Sequence, residues 1–176
     1  MYIGKIPSRV PLTSSDLADD IVTADKIADA VSLGKILQQV NASTSTQVAL
    51  SSGTLTDTGL TASITPSATS SKILVLVSHN GNYKSADDVN NSILIKLYRG
   101  TTEIGKSGGV NWTGNAKQTI IGSLSFNVVD SPSSTSAQTY KTQFKNINGG
   151  AEVAVQKSFG GDWASTSYIT LMEIGA

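Results

Sequence analysis

The chain has 176 residues, of which 39% are hydrophobic, 6% aromatic and 15% charged, with 25 Ser and 19 Thr; that composition suits short strands joined by polar turns better than a charged helical bundle. Thirteen Lys+Arg balance thirteen Asp+Glu, there is no cysteine and there is one histidine, so there is no electrostatic footprint for nucleic acid, no disulfide or thiolate metal site, and no His–His metal pair. No apolar run approaches the about 20 residues that cross a bilayer, and no basic stretch leads into an apolar one at the N-terminus as a secretory leader requires.

Residues 1–12 (MYIGKIPSRVPL) read as an extended arm. Pro7 and Pro11 lack backbone donors and disfavour helix in the residue before each. Tyr2, Ile3, Ile6, Val10 and Leu12 are apolar without helical period. Such an arm has nothing of its own to bury against and is assigned to anchoring.

Residues 13–40 carry a degenerate repeat, with copies opening at Thr13, Thr23 and Ser32. Each opens with a hydroxyl that can accept from free amides at a helix start. Asp16 and Asp25 follow, where the helix dipole favours negative charge. Each copy then presents an apolar pair: Leu17-Ala18, Ile27-Ala28 and Ile36-Leu37. Leu17, Ile21, Ala24, Ala28 and Val31 fit heptad spacing, but Lys35 and Gln38 break the seam. Short capped helical turns, or one interrupted helix, are expected. Isolated helices under ~12–15 residues are marginal, so Leu17, Ile21, Ile27, Val31, Ile36 and Leu37 are expected to pack against partners, most economically other copies of the chain. Asn41–Thr46 (NASTST) reads as a polar break, dividing an anchoring and trimerisation segment (1–40) from a head domain (46–176).

From residue 46 the pattern is strand and turn, with about eight strands expected from their spacing. They are Gln47–Ser52, Leu60–Pro66, Lys72–Ser78, Ser92–Arg99, Thr119–Val129, Gln138–Lys145, Glu152–Gln156 and Tyr168–Ile174. Lys72–Ser78 is continuously apolar through Val77, as in a strand buried on both faces. The last strand is expected inside a sheet. An antiparallel β-sandwich or jelly roll follows.

Gly100–Ser107 matches the phosphate-loop pattern G-x-x-x-x-G-K-[ST]. That mechanism needs a helix opening at the Lys-Ser, and Gly108-Gly109 is poor helix material. Arg99–Ile104 is read instead as a hairpin turn. His79, before Asn80-Gly81, reads as a turn histidine without the matched partners of a catalytic base. Asp87–Asn91 groups oxygen ligands but lacks the glycine and the closing acid of a calcium loop. No catalytic residue, metal or cofactor is expected, and no enzymatic activity. Trp112 and Trp163, in Gly/Asn-rich loops, are candidates for surface recognition.

The stretch Leu12–Val31 (LTSSDLADDIVTADKIADAV) resembles repeats near the N-termini of bacteriophage tail-fibre and related virion fibre proteins, and Tyr2–Pro7 resembles the particle-attaching starts of such chains. Thr56–Pro66 with Ser70–Val77, and the closing Ile169–Ile174, resemble a β domain of marine phage structural proteins. The resemblance implies a homotrimer on the exterior of a virion, with capsid or tail proteins as partners and no catalytic residues. With about three repeat copies and no long shaft, a short fibre, spike, head fibre or decoration protein is expected. The alternative is a tail-fibre module that binds a host glycan or receptor.

Overall fold

In segments such as Gln138–Asn146 inward and outward residues alternate at every second position, and this period builds strands. The computed structural model describes residues 35–114, 116–160, 162 and 164–175. The arm residues Tyr2, Ile3, Ile6, Val10 and Leu12, the repeat residues Leu17, Ile21, Ile27 and Val31, and Trp163 lie outside the described residues. The ten strands are β1 (Ile36–Thr44), β2 (Val48–Leu50), β3 (Thr56–Ile64), β4 (Lys72–Lys84), β5 (Ile93–Arg99), β6 (Thr102–Val110), β7 (Ile120–Asp130), β8 (Gln138–Asn146), β9 (Val153–Val155) and β10 (Ser167–Ile174).

They form two antiparallel sheets. One runs β1-β10-β4-β9-β2, with β7 on the other edge of β4; the second runs β3-β8-β5-β6. Without the short β2 and β9, β1-β10-β4-β7 faces β3-β8-β5-β6, the strand order of a jelly roll. The inward residues pack in two clusters. One holds Leu60, Ile64, Ile73, Val75, Leu97, Tyr140, Ile169 and Leu171. The other holds Ile93, Ile95, Phe144, Val153 and Val155, and Phe126 packs against both. Gly105 lets β6 pass close over β7, since a Cβ there would come within 2.7 Å of Val128.

Several elements differ from the sequence reading. Ile36 and Leu37, expected on a helical turn, lie on β1, and so do Asn41–Thr44 of the expected break. Val40 and Ala42 turn inward against the core, and the strand pairs with β10 from Ile36 to Thr44; tertiary burial overrides a local helix preference. The sequence around β6 is Gly-rich, with Gly105, Gly108 and Gly109, and carries little strand propensity. Pairing with β5 makes it an edge strand. β4 runs on past Ser78 to Lys84. His79-Asn80-Gly81 is a bulge within it rather than a turn: pairing with β7 shifts between His79 and Asn82, and Gly81 sits at φ +65°.

β10 lies between β1 and β4, as expected of the last strand. Leu171 is fully buried at its centre. Leu171→Ala is expected to lower the unfolding free energy by about 2–5 kcal/mol in a urea titration; a loss below about 1 kcal/mol would contradict a central β10.

Candidate functional site

The sandwich has two unlike poles. At one, the β3–β4, β5–β6 and β7–β8 connections run two to seven residues, against six to eleven at the other, β1 begins at Ile36 and β10 ends at Ile174. Two polar knots fasten this pole. Glu173 is buried. Its carboxylate accepts from the Ser67 amide (2.7 Å), the Ser67 hydroxyl (2.6 Å) and Gln38 Nε2 (2.6 Å). Burial alone would raise its pKa, but those hydrogen bonds outweigh it and hold the carboxyl at about 2. Asp130 accepts from Arg99 and from the Tyr140 hydroxyl, each at 2.7 Å, and so ties β7 to the facing sheet. Burial, then the Asp130 carboxylate, pushes the Tyr140 phenol well above its ordinary range.

At the opposite pole lie the described residues of the β4–β5, β6–β7, β8–β9 and β9–β10 connections: 85–92, 111–114, 116–119, 147–152, 156–160, 162 and 164–166. Trp112 is here and 63% exposed; Phe159 is also exposed, at 57%. Phe159 meets Tyr83 edge-on at 6.2 Å, and Lys157 Nζ lies 4.3 Å from the Tyr83 ring centroid while pairing with Glu152 at 2.9 Å. Lys84 is buried beneath this pole and donates to the Thr113 hydroxyl at 2.7 Å. Thr113 in turn donates to the Ala116 carbonyl, which pins the loop that carries Trp112.

Between the poles, the outward faces of the two sheets contrast in charge. On the four-stranded sheet Asp57, Lys96, Glu103, Lys106, Lys141 and Lys145 point outward. Lys96–Glu103 (2.6 Å) and Lys141–Asp57 (3.0 Å) form ion pairs. The outward positions of β1, β10, β4 and β7 form cross-strand rows. The first is Gln39–Met172–Leu74–Val129, the second Asn41–Thr170–Leu76–Asn127 and the third Ser43–Tyr168–Ser78–Ser125. None of these twelve residues is charged, and Lys72 is the one charge among the described outward positions of those strands. Leu76, Tyr168, Asn127 and Ser125 border a shallow groove in this face. Val129 is 56% and Tyr168 52% exposed. Ile36 and Leu37 are exposed at the short-loop end of β1, with Leu37 against Gly175.

Lys72–Val77 therefore departs from the expectation of burial on both faces. Ile73, Val75 and Val77 are buried, whereas Leu74 is half-buried and Leu76 is 37% exposed. The sequence reading missed this face. Its signal was available in the uncharged alternate positions of the last strand, Tyr168, Thr170, Met172 and Ile174.

The motif candidates have structural places. Gly100 turns the β5–β6 hairpin at φ +56°. Lys106 lies in strand β6, 3.9 Å from Glu103, where a phosphate loop would open a helix. Asp88 accepts the Asn90 amide in a local turn. The neighbouring Asn91 is buried and donates to the Glu152 carbonyl. His79 is fully buried, between the Thr142 hydroxyl (2.9 Å, at Nε2) and the Gln156 side-chain amide (3.3 Å, at Nδ1). Burial lowers its pKa to about 4.

No family model and no curated protein matches the chain. Among solved structures, the tripod from the baseplate of bacteriophage Tuc2009 is similar over 98% of this chain and 78% of that chain, at 13% identity and a TM-score of 0.31. A likeness that loose carries no argument about fold or function.

His79 and Glu173 set an acid limit on the fold. The unfolded chain protonates His79 near pH 6.5 and the folded one only near 4, so stability is full above pH 6.5 and falls between 6.5 and 4. Glu173, lowered from 4.5 to about 2, extends the decline from pH 4.5 towards 2. Urea midpoints measured from pH 7 to 3 are expected to show both stages, and His79→Gln to remove the first. A wild-type midpoint flat from pH 7 to 4.5 would contradict the buried neutral imidazole.

Proposed function

We propose that this protein is a non-enzymatic structural component of a bacteriophage particle: a short trimeric fibre, spike or decoration protein on the virion exterior, anchored by its leading residues. The observation that supports it best is the polarity of the jelly roll. The chain runs into β1 at the short-loop pole, beside an uncharged sheet face, while the exposed aromatic loops lie at the opposite pole. A head tethered at one end and free at the other has that arrangement. The resemblance of Leu12–Val31 to fibre-protein repeats supplies the virion context. Tyr2, Ile3, Ile6, Val10 and Leu12 supply the anchor, since ordering apolar side chains against a neighbour contributes about 1.5–3 kcal/mol for each one fully buried. Three arms in one trimer bind together through effective concentration.

A second reading, recognition of a host glycan or receptor at the loop pole, is favoured by the exposure of Trp112 and Phe159. Aromatic side chains with one wet edge are common binding anchors.

Deleting residues 1–34 is expected to leave a folded head that no longer copurifies with particles; wild-type levels of incorporation would refute the anchor. Trp112→Ala is expected to keep incorporation and, on the second reading, to weaken cell adsorption. Unchanged adsorption would remove Trp112 from that role.

A further inference from the structure

We propose that Asn148 is a site of spontaneous covalent modification: it deamidates in the folded protein, with water as the co-reactant, and so releases a contact that ties the β8–β9 connection to the β4–β5 connection.

The chain has two Asn-Gly pairs, Asn80-Gly81 and Asn148-Gly149. Asparagine is one of the thermolabile residues, and a following glycine has no side chain to shield its amide nitrogen. In the reaction the Gly149 amide gives its proton to solvent base, and its nitrogen bonds to the Asn148 side-chain carbonyl carbon. The bond from that carbon to Nδ2 breaks, and Nδ2 leaves as ammonia, taking a proton from water. A water molecule then opens the five-membered imide. Opening at one carbonyl gives aspartate. Opening at the other gives isoaspartate, in which the backbone runs through the former side chain. The net change converts one amide and one water into one carboxylate and one ammonium ion.

The fold treats the two pairs differently. Asn80-Gly81 is clamped in the β4 bulge. Asn80 Nδ2 donates to the Thr166 carbonyl at 2.7 Å, and the Asn80 amide donates to Ser167 Oγ at 3.0 Å. The Asn80 and Gly81 carbonyls accept from the Gln156 and Lys157 amides at 3.1 and 3.0 Å. A Cβ on Gly81 would come within 2.7 Å of the Lys157 nitrogen and the Ser165 side chain, so the bulge has no room to turn. Swinging the Asn80 carboxamide onto the Gly81 nitrogen means breaking these bonds, which requires local opening.

Asn148-Gly149 is held far less. Asn148 is exposed. The Gly149 amide donates to no group among the described residues, and a Cβ on Gly149 would meet nothing nearer than 3.8 Å. The Asn148 side chain is fixed by one exposed hydrogen bond, from Nδ2 to the Asn90 carbonyl at 2.5 Å. An exposed bond of that kind opens at little cost.

The product cannot remake that bond, because a carboxylate has no proton to donate. Two acceptors then face each other where a donor met an acceptor. The new charge also arrives beside an existing one: a Cβ on Gly150, two residues on, would lie 3.3 Å from Asp88 Oδ2. Like charges in one connection repel. Residues 85–92 keep their inner fastening, from Asn91 to the Glu152 carbonyl and from Asn146 to Asn91, and lose the outer one.

The test is mass spectrometry of the full-length protein after incubation in warm, mildly alkaline buffer. Trypsin places Asn148 in the peptide Asn146–Lys157 and Asn80 in Ile73–Lys84, and fragmentation locates the converted residue. In the folded protein Asn148 is expected to convert about tenfold or more faster than Asn80, and in urea the two are expected to convert alike, since only the fold protects Asn80. Equal conversion of the two in the folded protein overturns the proposal, as does conversion of Asn148 in urea alone. Asn148→Asp is expected to speed amide exchange across residues 85–92 and to leave the centre of β4 unchanged. Exchange in 85–92 identical to wild type would overturn the release of the contact.

Discussion

The structure depends on one insertion, that of the last strand between the first and the third of the eight long strands. β10 is hydrogen-bonded along β1 on one edge and along β4 on the other. Without β10, β1 and β4 have no common neighbour and the six-stranded sheet has no centre. The insertion brings the start and the end of the described residues to one pole. There, hydrogen bonds to Glu173 join β10 to Gln38 of β1 and to Ser67 of the β3–β4 connection. It also puts the uncharged positions Tyr168, Thr170 and Met172 in the middle of an exposed face. The same strand that completes the core through Ile169 and Leu171 thereby sets the middle of the uncharged face.

The division of labour between the two sheets follows from how each satisfies its outward residues. The four-stranded sheet pairs its charges across strands and meets water on its own terms. The other sheet presents hydroxyls, amides and aliphatic side chains that neither repel water strongly nor pair with ions. The loop pole is built differently again. Lys84 and Thr113 under the Trp112 loop, and the Tyr83–Phe159–Lys157 cluster beside it, hold aromatic side chains at the surface instead of letting them collapse inward.

Most of the strands were legible in the sequence, because strongly alternating segments such as Gln138–Lys145 and the purely apolar Ile73–Val77 declare themselves locally. The misses have physical causes. β1 was hidden under a repeat pattern whose apolar pair, Ile36-Leu37, suits a helix as well as a strand; only its pairing with β10, more than 100 residues away, decides between them. β6 was hidden by three glycines, one of which is required by the approach of Val128. The far half of β4 is polar because it runs under the loop pole, where His79, Asn82 and Lys84 are buried among hydrogen-bonding groups. The uncharged face was not read from the sequence, because the register that lines up Leu74, Met172 and Val129 exists only in the fold.

The most direct measurement is amide hydrogen exchange across the head domain. The account predicts that the amides of β10, bonded along both edges, exchange as slowly as those of β4 and more slowly than those of the edge strand β6. Amides of β10 that exchange as fast as those of β6 would show that the last strand is not the centre of its sheet and would contradict it.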